Sequence, residues 1–492
     1  MMLLKSLSRL ALISSILFFS SLDCQAQSIE GTVLETGNKT ALPYVNILIK
    51  KSNRGTITNE SGTYSLNTKG LQGTDTISFQ FIGFKTVNTT YEQLSKNPTL
   101  LLTTDVMSID EVVITNKQLK VEDIVKNVLK NKELNYNTNF QKTQIFSRER
   151  YITDVNKIEL DYKKSTIEEL SEETIRNFEE KMPKTSTSYF DFLADFYFNG
   201  QTSSFKIEPI QAVELISKDL AELANYEDVF NSLFADTKDK EYWKIKSGMF
   251  GEKIDYEQDT TDVPENADSR PLSYFKAQLK EKSNYVTLED KNLWEFLHKT
   301  GRYNFELEGS TSVNNESVYI ISFTPKKKGK YVGKVFISTE TFALLKASYE
   351  YADGKRGKNF NFLGVGYTEN GFKGSIYFEK ENDTYQLKYF SFNKNYNIRI
   401  DRKIALQKKR NRFLFDKTLK ELKIGLNLNL QVQEAIEYFA IKTETIDEEK
   451  FDGFTEKKTF NVIHIDQFDE NLWKGYDIIE PTKKLKGYKK LK

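Results

Sequence analysis

Cysteine is almost absent from this chain. Its 492 residues hold one, Cys24, so no intrachain disulfide can form and a buried core has to carry the stability, which this length permits. Histidine is nearly as scarce, with only His298 and His464. Neither is followed by a glutamate at a usable interval, so the ligand set of a zinc hydrolase is missing. The formal net charge of +1 argues against a general nucleic-acid binder, which carries a strong basic excess. Proline is sparse (8) while Phe (35) and Tyr (26) are plentiful, a composition of ordered, strand-rich structure. The chain contains no G-x-S-x-G, no glycine-rich phosphate loop and no Cys/His cluster. No catalytic, cofactor-binding or metal-binding residue is therefore assigned, and a non-enzymatic role is expected.

Long apolar runs are also lacking, apart from one at the start. Lys5 and Arg9 precede the 13-residue run "LALISSILFFSSL", and "CQAQS" follows, with Cys24 and Ala26 in the positions of an A-x-A-like cleavage site. The run is shorter than the roughly 18–20 residues that a membrane span needs. A signal peptide over 1–26, cleaved after Ala26, is expected, with no transmembrane helix in the mature chain. Acylation of Cys24 as a lipoprotein is the rival reading, disfavoured because Asp23 stands where a small residue is preferred. Without Lys5, Arg9 and Asp23 the net charge falls to zero.

From Ile29 to about Ile114 short strands alternate with turn chemistry. "SIEGTVLE", "LPYVNILIKK", "NESGTYSLNT", "DTISFQFIGFKTVNTTY" and "PTLLLTTD" follow one another. The fourth reads as one long strand with a bulge or close approach at Gly83. With no helix expected between them, these strands predict a small antiparallel β-sandwich. The order "IEGTVLETGNKTALPYVNILIKKSNRGTITNESGTYSL", then "ISFQFIGFKT", then "SIDEVVIT" resembles the carboxypeptidase-regulatory-like domain. That transthyretin-like, seven-strand-type sandwich precedes the plug of TonB-dependent receptors in Bacteroidetes-type cell envelopes. The resemblance implies a fold, not peptidase activity. In "SIDEVVIT", Asp110 and Glu111 are adjacent and would point to opposite faces of a strand, so they make no acid–base pair. The segment reads as the exit of the sandwich.

After this module, "KVEDIVKNVLKNKELNY" places Val121, Ile124, Val125, Val128 and Leu129 on one helical stripe, with Glu122 and Asp123 in the first turn. "TQIFSRERYI" then alternates as a strand. "STIEELSEETIRNFEEKM" and "AVELISKDLAELANYEDVFNSLF" read as helices, and "TSYFDFLADFYFNG" fits a strand or a buried helix. The acidic stretch from Gly251 to Ser273 reads as a long loop. From Tyr303 to about Phe439 polar turns separate strongly alternating segments, an antiparallel meander. Within it "YVGKVFISTETFALLKASYEY" is similar to a hairpin of lipoprotein-carrier-like half-barrels. The ending "FDENLWKGYDIIEPTKKL" resembles the closing segment of an envelope family of unknown function. The expected division is a signal peptide over 1–26, a sandwich over 27–115, a mixed helical and strand region over 116–300, and an antiparallel sheet with a C-terminal tail over 301–492. The expected class is mainly β with α+β character, the sheet taking a half-barrel form if the hairpin resemblance holds.

His298, in "LWEFLHKTG", reads as a residue at a helix C-terminus, and His464, near Asp466, as a structural strand residue. The basic run Arg402 to Phe413 reads as a solvated turn or strand edge, with contact to anionic lipid headgroups as its functional alternative. "KKKGK" (326–330) reads as a hairpin tip. The expected role is binding or assembly at the outer membrane or in the periplasm, with an outer-membrane protein or a lipid or polymeric ligand as partner. The alternatives are a partner of a TonB-dependent nutrient transporter, or a hydrolase using carboxylates that converge in the 140–300 region with raised pKa values.

Overall fold

The computed structural model describes residues 28–488, leaving aside 53, 108–119, 137–138, 217–228, 230–231, 235–236, 239, 249, 255–268, 284, 382 and 414. The expected signal peptide, Cys24, and Asp110 and Glu111 of "SIDEVVIT" lie outside the described residues. The chain divides into two compact units. One comprises the residues through Phe79, Thr86–Leu102 and Glu470–Glu480, and the other Gln80–Lys85, Thr103–Asp469 and Pro481–Lys492.

The first unit holds seven strands: β1 (Ser28–Glu35), β2 (Asn46–Ile49), β3 (Arg54–Ile57), β4 (Thr63–Asn67), β5 (Thr76–Gln80), β6 (Val87–Thr90) and β7 (Thr99–Leu102). They form two sheets, in the orders β4-β1-β7 and β3-β2-β5-β6. Alternating apolar residues such as Val33, Ile47, Leu66 and Ile77 are fully buried. Tyr64 meets Phe79 edge to face, with ring centroids 5.6 Å apart, joining strands of different sheets. Three details differ from the expectation. β1 and β7 pair in parallel. The anticipated long strand is a hairpin, because the chain reverses between Gln80 and Val87 with Gly83 at φ 93°, a conformation glycine reaches without strain. A short helix, α1 (Tyr91–Lys96), stands before β7 behind a capping box of Thr90 and Gln93.

The C-terminal segment Glu470–Glu480 completes this unit. Side chains of the N-terminal strands and turns donate to its backbone carbonyls: Thr56 Oγ1 to Ile478 at 2.9 Å, Asn59 Nδ2 to Glu480 at 2.9 Å and Asn67 Nδ2 to Gly475 at 2.9 Å. Buried carbonyls need such partners, and buried Thr and Asn side chains supply them.

The second unit is built on one large sheet. The helix α2 (Val121–Lys130) forms as its apolar stripe requires, with Ile124, Val125 and Val128 buried. β8 (Phe140–Ser165) follows, then α3 (Glu172–Lys181), capped by Ser171, β9 (Thr185–Asn199) and β10 (Ser204–Ile216). "TSYFDFLADFYFNG" is thus a strand. The helix expected over 212–234 is corrected in its first part: Ala212, Val213 and Leu215 are buried strand residues hydrogen-bonded along β9, since alternation there fits a covered sheet better than a helix. β11 (Glu241–Ser247) and β12 (Phe250–Ile254) form a hairpin, and β13 (Ser269–Pro271) leads into α4 (Leu272–Ser283). Both ends of the expected loop are therefore regular structure.

The meander follows as β14 (Tyr303–Val313), β15 (Glu316–Pro325), β16 (Tyr331–Ser338), β17 (Leu344–Tyr351), β18 (Asn359–Phe362), β19 (Val365–Glu381), β20 (Thr384–Arg410) and β21 (Lys417–Thr445), then β22 (Thr459–Asn461) and β23 (Ile463–Ile465). The main path runs β14-β15-β16-β17-β19-β20-β21-β8-β9-β10-β23 and does not close on itself. Every neighbouring pair is antiparallel except β10 with β23. "KKKGK" is the β15–β16 turn. The β14–β19 end is filled by side chains: Trp294, Phe296, Tyr331 and Tyr349 are buried with the apolar stripe of α2, and Phe296 stacks on Phe323 at 4.3 Å.

Candidate functional site

The centre of the sheet differs from its filled end. On β21, Leu422, Ile424, Leu426, Leu428 and Leu430 recur with a period of two, so all five point to one face. The register sets Leu426 opposite Leu160, Leu428 opposite Ile158 and Leu430 opposite Val155 of β8. Val155 and Ile158 have opposite parity, and an irregularity in the ladder at this point restores both to the same face. The face continues into β20 and β19, where Ile398 lies opposite Leu430, Ile400 opposite Leu428, Tyr367 opposite Ile398 and Val365 opposite Ile400. From Ile424 to Leu430 these leucines and isoleucines are only half-buried. On the reverse face of β8, Lys157, Glu159, Asp161 and Lys163 are exposed.

The chain between β8 and β9 lies across this apolar face. β9 begins opposite Asp154, so β8 has no β9 partner beyond that residue. Its free backbone is met instead by the covering segment: Val155 N–H donates to Lys184 O at 2.8 Å, and Leu160 N–H to the Glu179 carboxylate of α3 at 2.8 Å. Ile175, Phe178 and Met182 point at the leucines beneath. Between cover and sheet lies an apolar cavity of about 490 Å³, lined also by Tyr151, Thr153 and Leu170. This size and lining are those of a small-ligand pocket.

One border of the cavity is polar. Tyr151 lines it, and its hydroxyl stands 3.4 Å from a Glu149 carboxylate oxygen and 3.5 Å from one of Glu434, with one proton to donate to either. Lys282 of α4 donates to Glu149, as does the Tyr438 hydroxyl at 3.5 Å. Burial raises the Glu434 carboxyl above its ordinary value, against the pull of Lys394 and Lys282. The sheet thus brings two carboxylates together, one from the 140–300 region and one from β21. Lys282 engages Glu149, and Ser188, opposite Tyr151 on β9, lines the cavity together with Ser186.

Residues singled out in the sequence lie elsewhere. His298 closes a short helix, Glu295–His298, as expected, and its Nε2 sits 2.8 Å from the Leu288 carbonyl. His464 lies on β23 with Nδ1 3.2 Å from the Glu214 carboxylate, which also accepts from Arg270 at 2.5 Å. The basic run is corrected in part: Arg402 to Arg410 belong to β20, paired throughout with β21 and, from Ala405 on, also with β11. Lys408 is buried there, and Glu241 accepts from Lys408 at 3.2 Å and from Arg410 at 2.6 Å. Only its end, past Arg410, is a turn. Among the described residues no three His, Cys, Asp or Glu are grouped to hold a metal, and no helix is long and apolar enough to cross a membrane.

The small unit is the part that comparison places. Residues 29–114 match the CarboxypepD_reg-like domain. That match spans less than a fifth of the chain. No curated protein matches the chain. Solved structures similar to it include the Pseudomonas aeruginosa MucA/MucB complex, at 8% identity over 66% of this chain and 98% of that one, TM-score 0.17. A putative outer membrane lipoprotein-sorting protein domain from Vibrio parahaemolyticus is 7% identical over 68% of this chain and 97% of that one, TM-score 0.20. A DUF1329 family protein from Desulfovibrio piger is 8% identical over 67% and 96%, TM-score 0.17. Scores of this size are too low to carry an argument from fold or function.

Proposed function

We propose that this is a non-catalytic binding protein of the cell envelope that holds an apolar, chain-like ligand between α3 and the leucine rows of β8 and β21. The observation that carries this reading is the half-buried, period-two apolar face under a covering helix, with its cavity of about 490 Å³. A filled core would have buried those leucines. Each methylene moved from water onto such a face contributes about 0.8 kcal/mol, so an acyl chain is the ligand class that fits. Tyr151 and its carboxylate neighbours then meet the polar end of the ligand. The export signal read at 1–26 supports the envelope setting. The narrower form of the reading, association with the outer membrane beside a TonB-dependent transporter, is supported by the module over 29–114.

The test is displacement of a fluorescent long-chain fatty acid from the purified chain. Leu428→Asn with Leu430→Asn removes two lining side chains that are only half-buried, so the fold is retained. Affinity is expected to fall by roughly tenfold or more, the equivalent of about 1.4 kcal/mol, with an unchanged unfolding transition. Absence of probe binding, or equal affinity in the double variant, overturns the proposal.

A further inference from the structure

The turn joining β20 to β21 has no role in the groove. Phe413 is 100% exposed and Phe415 is 86% exposed. These are the two most exposed large hydrophobic side chains among the described residues, and they stand two positions apart. Scattered exposed apolar residues are ordinary, whereas aromatic side chains this exposed, adjacent and rimmed by charge mark an interaction site. The rim is basic. Residues 408–420 carry Lys408, Lys409, Arg410, Arg412, Lys417 and Lys420 against the single acid Asp416. Glu241 occupies Lys408 and Arg410, leaving the exposed Arg412 and Lys417 flanking the two rings in sequence and the partly exposed Lys409 and Lys420 at the adjoining strand ends. The whole chain is close to neutral, so this excess is local.

The turn is also braced. Asn411 N–H donates to Lys240 O at 2.7 Å. The Tyr242 hydroxyl of β11 donates to Asp416 at 2.5 Å, and Asp416 accepts from Arg412 N–H at 3.4 Å. β11 thereby holds the tip in place at the end of two strands of more than 25 residues.

We propose that the β20–β21 tip docks on an anionic lipid bilayer, with Phe413 and Phe415 entering the headgroup boundary while Arg412, Lys409, Lys417 and Lys420 meet the phosphates. Two weak signals, an apolar insertion and a basic collar, are what reversible attachment to such a surface requires. A polyanion in solution would use the collar and leave the rings in water. The inference does not rest on the groove: a bilayer contact at the tip stands whether or not α3 covers a ligand.

The test is co-sedimentation of the full chain with vesicles of phosphatidylcholine alone and of phosphatidylcholine mixed equally with phosphatidylglycerol, at low and high salt. Binding is expected only to the mixed vesicles and is expected to weaken with salt. Phe413→Ser with Phe415→Ser, and separately Arg412→Glu with Lys417→Glu, should each lower it by roughly tenfold, since each cation near an anionic surface contributes about fivefold. Leu428→Asn with Leu430→Asn should leave it unchanged, so failure here and failure of the groove reading are told apart. All four substituted tip positions are exposed, and an unchanged unfolding transition confirms the fold. No binding, equal binding to both vesicle types, loss only in the charge variant, or equal affinity for a soluble polyphosphate overturns the proposal.

Discussion

Lys346 offers a direct measurement of how dry the filled end of the sheet is. It lies on β17 with 8% of its surface exposed. Its Nζ is 3.4 Å from the ring centre of Phe81 and 5.4 Å from that of Phe336, and it makes no ion pair among the described residues. Burial lowers its pKa from 10.5 to about 7, so near neutral pH the amine is partly uncharged in the native state and charged in the unfolded one. The unfolded chain then binds the extra proton between about pH 7 and 10.5, and stability rises with pH across that window. At about 1.4 kcal/mol per tenfold change in proton affinity, the full effect is at most about 5 kcal/mol. Lys346→Met keeps the volume and removes the titration. In urea unfolding the variant is expected to be more stable than the parent by several kcal/mol near pH 7, with the gap closing towards pH 10. Parallel curves, or a less stable variant at neutral pH, would refute the reasoning. They would show that cation–π attraction to Phe81, worth about 2 kcal/mol when desolvated, with whatever water reaches the amine, keeps Lys346 charged.

Asp477, in the C-terminal segment, carries the opposite slope. Burial, opposed by Arg54, raises its carboxyl to about 6, and its Oδ1 has no hydrogen-bond partner among the described residues. The folded state therefore holds the proton longer than the unfolded one, and stability should fall from about pH 4 to about pH 6, by up to about 3 kcal/mol. Asp477→Asn should flatten that fall in thermal melts taken across the range. Asp191 and Arg148 lie opposite each other on β9 and β8 and are both buried, with bonds of 2.8 and 2.6 Å. Asp191→Asn leaves the guanidinium without its countercharge and should cost about 3–5 kcal/mol in urea unfolding, while replacing both residues by apolar ones should recover much of it.

The leucine row of β21 was legible in the sequence, because "LKIGLNLNLQVQ" alternates without interruption and alternation reports one face directly. Its function was not, since a row at period two is equally the mark of a filled core. What makes it a groove is the pairing of Leu428 with Ile158 across some 270 residues and the placing of α3 above both, and neither is encoded locally. α3 itself was readable as a helix, though not the face it covers. The hairpin at Gly83 had its signal in the glycine, outweighed by the apolar residues Phe79, Phe81, Ile82 and Phe84, which read as one continuous strand. At Ala212–Ile216 four apolar positions in five satisfy either period, and hydrogen bonding to β9 decides for the strand. At the tip, the basic run was visible in the sequence, but only the ion pairs of Lys408 and Arg410 with Glu241 show which cations face solvent.

The bonds from Thr56, Asn59 and Asn67 to Ile478, Glu480 and Gly475 join residues 422, 421 and 408 positions apart. The small unit takes these carbonyl partners from a segment that lies beyond the whole large sheet in sequence. Loop closure over more than 400 positions is slow compared with local strand pairing, so these bonds are expected to form after the local strand pairs. Deleting Glu470–Glu480 would leave the Thr56, Asn59 and Asn67 side chains without these acceptors, so the small unit depends for its polar pairing on a segment that follows the large sheet in sequence.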